Sequence, residues 1–296
     1  MAAPFSQVFL PESFQELFSI WENYPDAVLY SGGTEFVRRQ GHRAPVLPPN
    51  VISLGGIAEL KKISRTERYL EIGAMVKLNQ IMELGKIVPE ALTLCLENIG
   101  GHHLRNLATM GGNIYNSRRI FDIAAPMNAL DAQYELRTVE QARWVYASRF
   151  VALSGGKRGE KPSLENKELL TRIRVPLEPW TYTWFYKFRC MGSDDPGGCI
   201  LFMIRNQKDI LTNIKVVYAG KALLREKNAE TMLEGKRLPL VKNDVEGFMD
   251  KWKNYLSTFK DAEDSLYPGE GENFNPELSK TQILNFIKTR LLQISN

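Results

Sequence analysis

The 296-residue chain is 44% apolar and 24% charged, with a net charge of +4. At ~100–200 residues per domain it has room for two or three domains with sizeable cores. It lacks the blocks of like charge that mark a nucleic-acid surface. Three cysteines, Cys95, Cys190 and Cys199, fit neither a disulfide framework nor a CxxC site, and are too few for a four-thiolate iron–sulfur cluster. The opening MAAPFSQVFLPESF has no basic segment leading into an apolar one, and no apolar run reaches the ~18 residues of a membrane span. The expectation is a cytoplasmic protein with no nucleic-acid or membrane partner.

In chain order, SFQELFSIWENY places Phe14, Leu17, Phe18 and Trp21 at helical spacing. DAVLY is a short strand, followed at once by the diglycine Gly32–Gly33. TEFVRRQG then predicts a helix with Thr34 as its N-cap and Gly41 beyond its end. NVISL and YLEIGA are strands. LNQIMELGKI and PEALTLCLENIG are helices, the second with Pro89 near its first position. A second diglycine, Gly111–Gly112, reads as a turn. FDIAAPMNALDA is a short helix limited by Pro126, AQYELRT and ARWVYAS are hairpin strands, and SGGKRGEKPS (154–163) is a loop. ELLTRIRVP is a strand ended by Pro176, and VPLEPW marks a boundary. TYTWFYKFR, GCILFMIRN and NIKVVYAG are strands, the last two flanking a QKD turn. NAETMLEG, NDVEGFMDKWKNYLSTF and SKTQILNFIKTRLLQIS are helices. In the last, Ser279 is a candidate cap and Ile283, Leu284, Ile287 and Leu291 form one apolar stripe. The acidic stretch before it, DAEDSLYPGEGENFNPE, is a long loop.

A diglycine between strand and helix lets a ligand approach the backbone, and the free N–H groups of the helix start favour an anion. SGGTEF has this form, though a lone diglycine is equally well a tight turn without a ligand. TMGGNIYNSRRIFD combines small residues with Asn113, Asn116, Ser117 and Asp122, which suits a flat ligand needing a few aimed polar groups. An Asn-rich turn is the plain alternative. No G-x-G-x-x-G follows a strand, and the Gly-Lys of SGGKRGEKPS lacks the spacing of a P-loop. His102 and His103 lack a third ligand, so they make a weak metal signal. Arg105 is a candidate brace for its own loop.

The pair SGGTEF and IGGHHLRNLATMGGNIYNS…FDIAAPMNALDA resembles the FAD-binding subunit of the molybdenum hydroxylases, the xanthine dehydrogenase and carbon monoxide dehydrogenase flavoproteins. Their pattern is a first loop of the type AGGTDL and a second of the type IRNxATxGGNI…D…P…AL. The resemblance implies an α+β fold: a two-lobed FAD-binding domain of the vanillyl-alcohol-oxidase (PCMH) type over residues 1–177, with lobes about 1–52 and 53–177. A smaller C-terminal domain of sheet and helices, like that of the carbon monoxide dehydrogenase flavoprotein, would follow over 181–296. FAD would lie between the lobes. Tyr30, Ser31, Gly32, Gly33, Thr34, Glu35 and Phe36 would form the pyrophosphate loop, with Ile99 and Gly100 beside the flavin. Thr109, Gly111, Gly112 and Asn113 would meet the phosphates or sugar, Asn116 the ring, and Asp122 a hydroxyl. Leu170 and Lys187 would flank the ring, with Asp194–Asp195 in a nearby loop. No side chain is required as a catalytic acid or base, and no metal is held by this chain.

The resemblance implies electron transfer: an iron–sulfur chain and a molybdenum-cofactor chain as partners, with NAD or another acceptor taking electrons from FAD. Three features depart from the family. Arg118 and Arg119 stand where relatives have small and cyclic residues; Pro196-Gly197-Gly198 interrupts a strand; and the C-terminal Ser-x-x-Tyr-Arg is missing. They keep open an assembly module without FAD, and a stand-alone flavin-dependent NAD(P)H oxidoreductase on the same fold is a further alternative. Substrate, acceptor and oligomeric state are not legible.

Overall fold

The computed structural model describes residues 6–41, 44–115, 121–154, 168–188, 198–220, 223–258 and 276–295. Asn116 to Arg119, the 155–163 part of the expected loop, Cys190, Asp194, Asp195, Pro196, Gly197 and the acidic 261–275 stretch lie outside the described residues. The chain is α+β, as expected. Its first elements are β1 (Gln7–Phe9), α1 (Phe14–Asn23), β2 (Val28–Tyr30), α2 (Thr34–Gln40) and β3 (Asn50–Ser53). The three strands form a small parallel sheet in the order β1-β3-β2. Ser13 caps α1 by accepting from Glu16 N, and Leu17, Phe18 and Trp21 bury the stripe read from the sequence. Each such side chain contributes about 1.5–3 kcal/mol when fully buried.

Next come β4 (Ile63–Arg65), β5 (Tyr69–Gly73), α3 (Leu78–Glu83), α4 (Glu90–Glu97), α5 (His102–Arg105), α6 (Met110–Ile114), α7 (Ala124–Ala129), β6 (Gln133–Arg137), β7 (Ala142–Tyr146), α8 (Ala147–Ser154) and β8 (Leu169–Pro176). The strands form an antiparallel sheet, β4-β5-β8-β6-β7. Pro126 falls in the first turn of α7, where the missing N–H has no intrahelical partner to lose, so the helix tolerates it. Gly85, at φ +62, stops α3 short of the longer helix expected.

The last part is β9 (Tyr182–Lys187), β10 (Cys199–Gln207), β11 (Ile210–Ala219), β12 (Leu223–Leu224), α9 (Lys227–Leu233), α10 (Lys242–Ser257) and α11 (Pro276–Gln293). Its strands form an antiparallel sheet in the order β12-β11-β10-β9. Lys208 and Asp209, at φ +48 and +63, make the tight turn read as QKD. Residues alternate along β10: Cys199, Leu201 and Met203 join the core beneath the first two sheets, whereas Ile200, Phe202 and Ile204 join a second core with α10 and α11.

Three local expectations are corrected. Gly33, not Thr34, is the N-cap of α2, because the chain enters through a left-handed residue. The second diglycine is not a turn: Gly111 and Gly112 lie within α6. And α11 begins at Pro276, so Ser279 is interior rather than a cap, although Ile283, Ile287 and Leu291 are buried as the stripe requires.

Candidate functional site

The first glycine loop joins β2 to α2. Gly33 sits at φ +69, a region costly for any residue with a Cβ. A Cβ on Gly32 would fall 2.2 Å from the Leu107 carbonyl oxygen, so this loop rests directly on the segment leading to the second diglycine. The Tyr30 hydroxyl covers Gly33, and the Tyr30 and Phe36 rings meet edge-on at 6.0 Å. The first N–H groups of α2, including those of Thr34, Glu35 and Phe36, have no intrahelical acceptor. Glu35 faces its own helix: Arg38 donates to it at 2.7 and 2.9 Å and Arg39 at 3.0 Å. Burial alone would raise the Glu35 carboxyl, but the two arginines outweigh it and hold it below the usual range. Its negative charge is thereby neutralised next to a helix start suited to anions.

The second segment is anchored from below. Lys77 Nζ donates to Leu107 O at 2.9 Å, Met110 N to Val76 O at 2.9 Å and Gly111 N to Ala74 O at 2.8 Å. Lys77 is depressed by burial and by Lys61, and was not singled out from the sequence, where nothing distinguishes it from other lysines. Thr109 caps α6 by accepting from Gly112 N at 3.0 Å, and its hydroxyl donates to Ser31 Oγ at 3.3 Å. Its single proton is thus used within the protein, while the Ser31 proton is directed elsewhere. A Cβ on Gly111 would meet the Ala74 Cβ at 2.7 Å; one on Gly112 would lie 2.8 Å from both Ser31 Oγ and Thr109 Oγ1. Asn113 Oδ1 is buried with no hydrogen-bond partner among the described residues. A cavity of about 170 Å³ opens between Ser31, Gly111, Gly112, Tyr115 and Leu170.

A second group forms around Lys187 on β9. Its Nζ donates to Asp122 Oδ2 at 2.5 Å and to Asn98 O at 3.0 Å, and both charged side chains are largely buried. The Cys199 thiol donates to Asp122 O at 3.7 Å. Arg105 braces the neighbouring turn as expected, with Nη1 donating to Ile99 O at 3.1 Å and Gly100 O at 2.6 Å; Gly100 is at φ +52. A cavity of about 320 Å³ adjoins Lys187, walled by Asn98, Phe185, Phe188 and Gln282. His102 and His103 are exposed, with rings 6.2 Å apart. Among the described residues no group of three His, Cys, Asp or Glu side chains is arranged to hold a metal. A cavity of about 580 Å³ lies at the start of α4 and touches none of the expected site residues.

The structure therefore gathers Tyr30 to Phe36, Thr109 to Asn113 and Leu170 at one place, and Ile99, Gly100, Asp122 and Lys187 at another. Asn116 lies outside the described residues. Two backbone cradles without Cβ atoms, an anion-favouring helix start and an orphaned amide oxygen are features that a long, polar dinucleotide can use at several points along its length.

Comparison with known proteins supports that fit. Residues 3–178 match the family described as the FAD binding domain in molybdopterin dehydrogenase. The xanthine dehydrogenase FAD-binding subunit of Escherichia coli O157:H7 is 32% identical over 159 residues, covering 52% of each chain. Xanthine dehydrogenase 2 of Arabidopsis thaliana is 28% identical over 251 residues, 77% of this chain and 18% of that one. The chain thus spans about half the length of the bacterial relative and less of the plant one. A chain of the carbon monoxide dehydrogenase from Hydrogenophaga pseudoflava, in a form lacking the Mo-pyranopterin moiety, superposes with TM-score 0.78 at 22% identity. The match covers 100% of this chain and 98% of that one, which shows a common fold. On the strength of the match over residues 3–178, the chain belongs to the family of FAD-binding domains of molybdopterin dehydrogenases.

Proposed function

We propose that the protein is the FAD-carrying electron-transfer subunit of a xanthine dehydrogenase-like molybdenum hydroxylase. The observation that carries this reading is the meeting of the two diglycine segments at Ser31, Thr109 and Gly112, inside the matched family segment. FAD, when bound, supplies the redox chemistry. The chain's residues bind and orient it. Gly32, Gly33 and the first N–H groups of α2 receive the pyrophosphate; Ser31, fixed by Thr109, donates its hydroxyl proton outward; and Asn113 Oδ1 accepts from the cofactor. Lys187, held by Asp122, would lie beside the ring, and Ile99, Gly100 and Leu170 would border it.

In this reading residues 1–177 form the two-lobed FAD domain of the vanillyl-alcohol-oxidase type and residues 181–296 the C-terminal domain. An iron–sulfur chain and a molybdenum-cofactor chain are the partners, and NAD or another acceptor takes the electrons. No described helix is long and apolar enough to cross a membrane, in keeping with a cytoplasmic complex. The family name and the carbon monoxide dehydrogenase fold support this assembly.

The test is to purify the chain from its natural host, record its absorbance spectrum, add NADH, and identify the chains that copurify. A flavin spectrum with an iron–sulfur chain and a molybdenum chain is expected. A colourless protein would overturn FAD carriage. A yellow chain that travels alone and is bleached by NADH would overturn the subunit assignment in favour of a stand-alone reductase.

A further inference from the structure

Helix α7 is tied to the C-terminal sheet at both of its ends. Before it, Asp122 holds Lys187 of β9, and Ala125 N donates to Asp122 O at 3.1 Å, so Asp122 is bonded into the turn that leads into the helix. At its last turn, Arg225, between β12 and α9, donates from Nη1 to Asn128 O at 2.9 Å and Asn128 Oδ1 at 3.3 Å. The same nitrogen donates to Asp131 Oδ1 at 3.0 Å. Lys215 of β11 adds a contact to Asp131 at 3.4 Å. Arg225 is itself fixed from the other side: Nε donates to both oxygens of Glu230 at 3.1 Å, and Glu230 accepts from Val216 N at 3.0 Å. The Arg225 and Glu230 side chains are 7% and 4% exposed. Asp131 closes the helix at φ +52, a single left-handed residue before β6.

The helix between these ties is short, fewer than two turns. A helix of that length moves as one body, so freeing its far end tilts Asp122 at its near end. A buried guanidinium bonded to two elements is a geometric fixture rather than a flexible surface contact.

We propose that Arg225 is a positioning residue for the cofactor site. By clamping the end of α7 to the C-terminal sheet, it holds Asp122 where it pins Lys187 against the Asn98 carbonyl. The inference rests on the reading that Asp122 and Lys187 border the bound FAD.

The experiment uses the full chain with Arg225→Met, Arg225→Lys, Asp131→Asn, Lys187→Met and the Arg225→Met/Lys187→Met double variant. Flavin fluorescence gives the FAD dissociation constant, and reductive titration gives the midpoint potential. Arg225→Met is expected to weaken FAD binding about fivefold to tenfold and shift the potential in the same direction as Lys187→Met. The double variant is expected to bind no more weakly than Lys187→Met alone, the non-additivity of residues acting through one network. Arg225→Lys recovers part of the loss. Additive effects would overturn the proposal, as would unchanged affinity and potential in Arg225→Met with only a lower melting temperature. If Arg225→Met does not fold, Asp131→Asn takes the charge out of one of the same ties from the helix side, and full FAD affinity and an unchanged potential in that variant would overturn it. If Lys187→Met changes neither quantity, the placement of FAD beside Lys187 fails, and the proposal with it; the two failures are told apart by that single variant.

Discussion

The two diglycines look alike in the sequence and differ in the fold. Gly32–Gly33 is a true loop. One glycine is needed because another backbone passes within contact, the other because the chain turns left-handed into α2. Gly111–Gly112 is helical: Gly111 is small because Ala74 lies against it, and Gly112 because Ser31 and Thr109 converge there. In the proposed reading, the first pair shapes a surface that receives a ligand. The second lets a short helix dock closely enough to place Asn113. The same dipeptide therefore answers a conformational demand in one place and a packing demand in the other.

The largest effect that would break this comparison is expected from Gly32→Ala. The added methyl would press on the Leu107 carbonyl at 2.2 Å, so the two segments must part. A stability loss of about 1–3 kcal/mol is expected from such overpacking, together with loss of most bound flavin, read as the flavin-to-protein absorbance ratio. Gly111→Ala should cost a similar or smaller amount on chemical denaturation, again about 1–3 kcal/mol, while most of the flavin is retained. Ala74→Gly in the same chain should recover only part of it, since the Ala74 carbonyl also stands 2.8 Å from the new methyl. If Gly111→Ala strips the flavin as thoroughly as Gly32→Ala, the proposed difference between the two sites disappears.

The smallest effect sharpens the contrast through charge, because the helix that follows the first diglycine carries an ion-paired acid. The Glu35 carboxyl is held below its usual value, so its contribution is complete above the unfolded-state pKa and fades as pH falls through the lower folded value. Being surface ion pairs, the contacts with Arg38 and Arg39 are worth about 0.5 kcal/mol in total. Urea midpoints of the native chain and Glu35→Gln should therefore differ at pH 6 and converge towards pH 3. A gap that persists at pH 3 would mean that Glu35 acts through something other than its charge.

Much of the fold was legible because amphipathic stripes and apolar runs are local. Leu17, Phe18 and Trp21 on α1, the β6–β7 hairpin and the QKD turn all follow from neighbours in sequence. β1 and β4, three residues each, were not read: so short a strand has no measurable period and exists only through its pairing partner. The strand expected over ARWVYAS ends at Tyr146 and passes into α8, a change with no strong stop signal. α6 was missed because glycine is a poor helix former; the Thr109 cap and the hydrogen bonds to Ala74 and Val76 override that preference. At the site, the resemblance named the residues, but not how they are used. That Thr109 serves Ser31 across 78 residues and that Asp122 and Lys187 meet across 65 are facts of tertiary approach, which no local spacing encodes.

Strand β10 has a consequence for how the molecule comes apart. Because its alternate side chains belong to different cores, neither core can melt while the other keeps its full lining. A slip of one position along β11 would exchange Leu201 for Phe202 between them and spoil both. The C-terminal sheet is thus a party wall rather than an annex. Thermal unfolding of the two halves is bound to be concerted, and a truncated chain ending before β9 would present the bare apolar side of the first core to water.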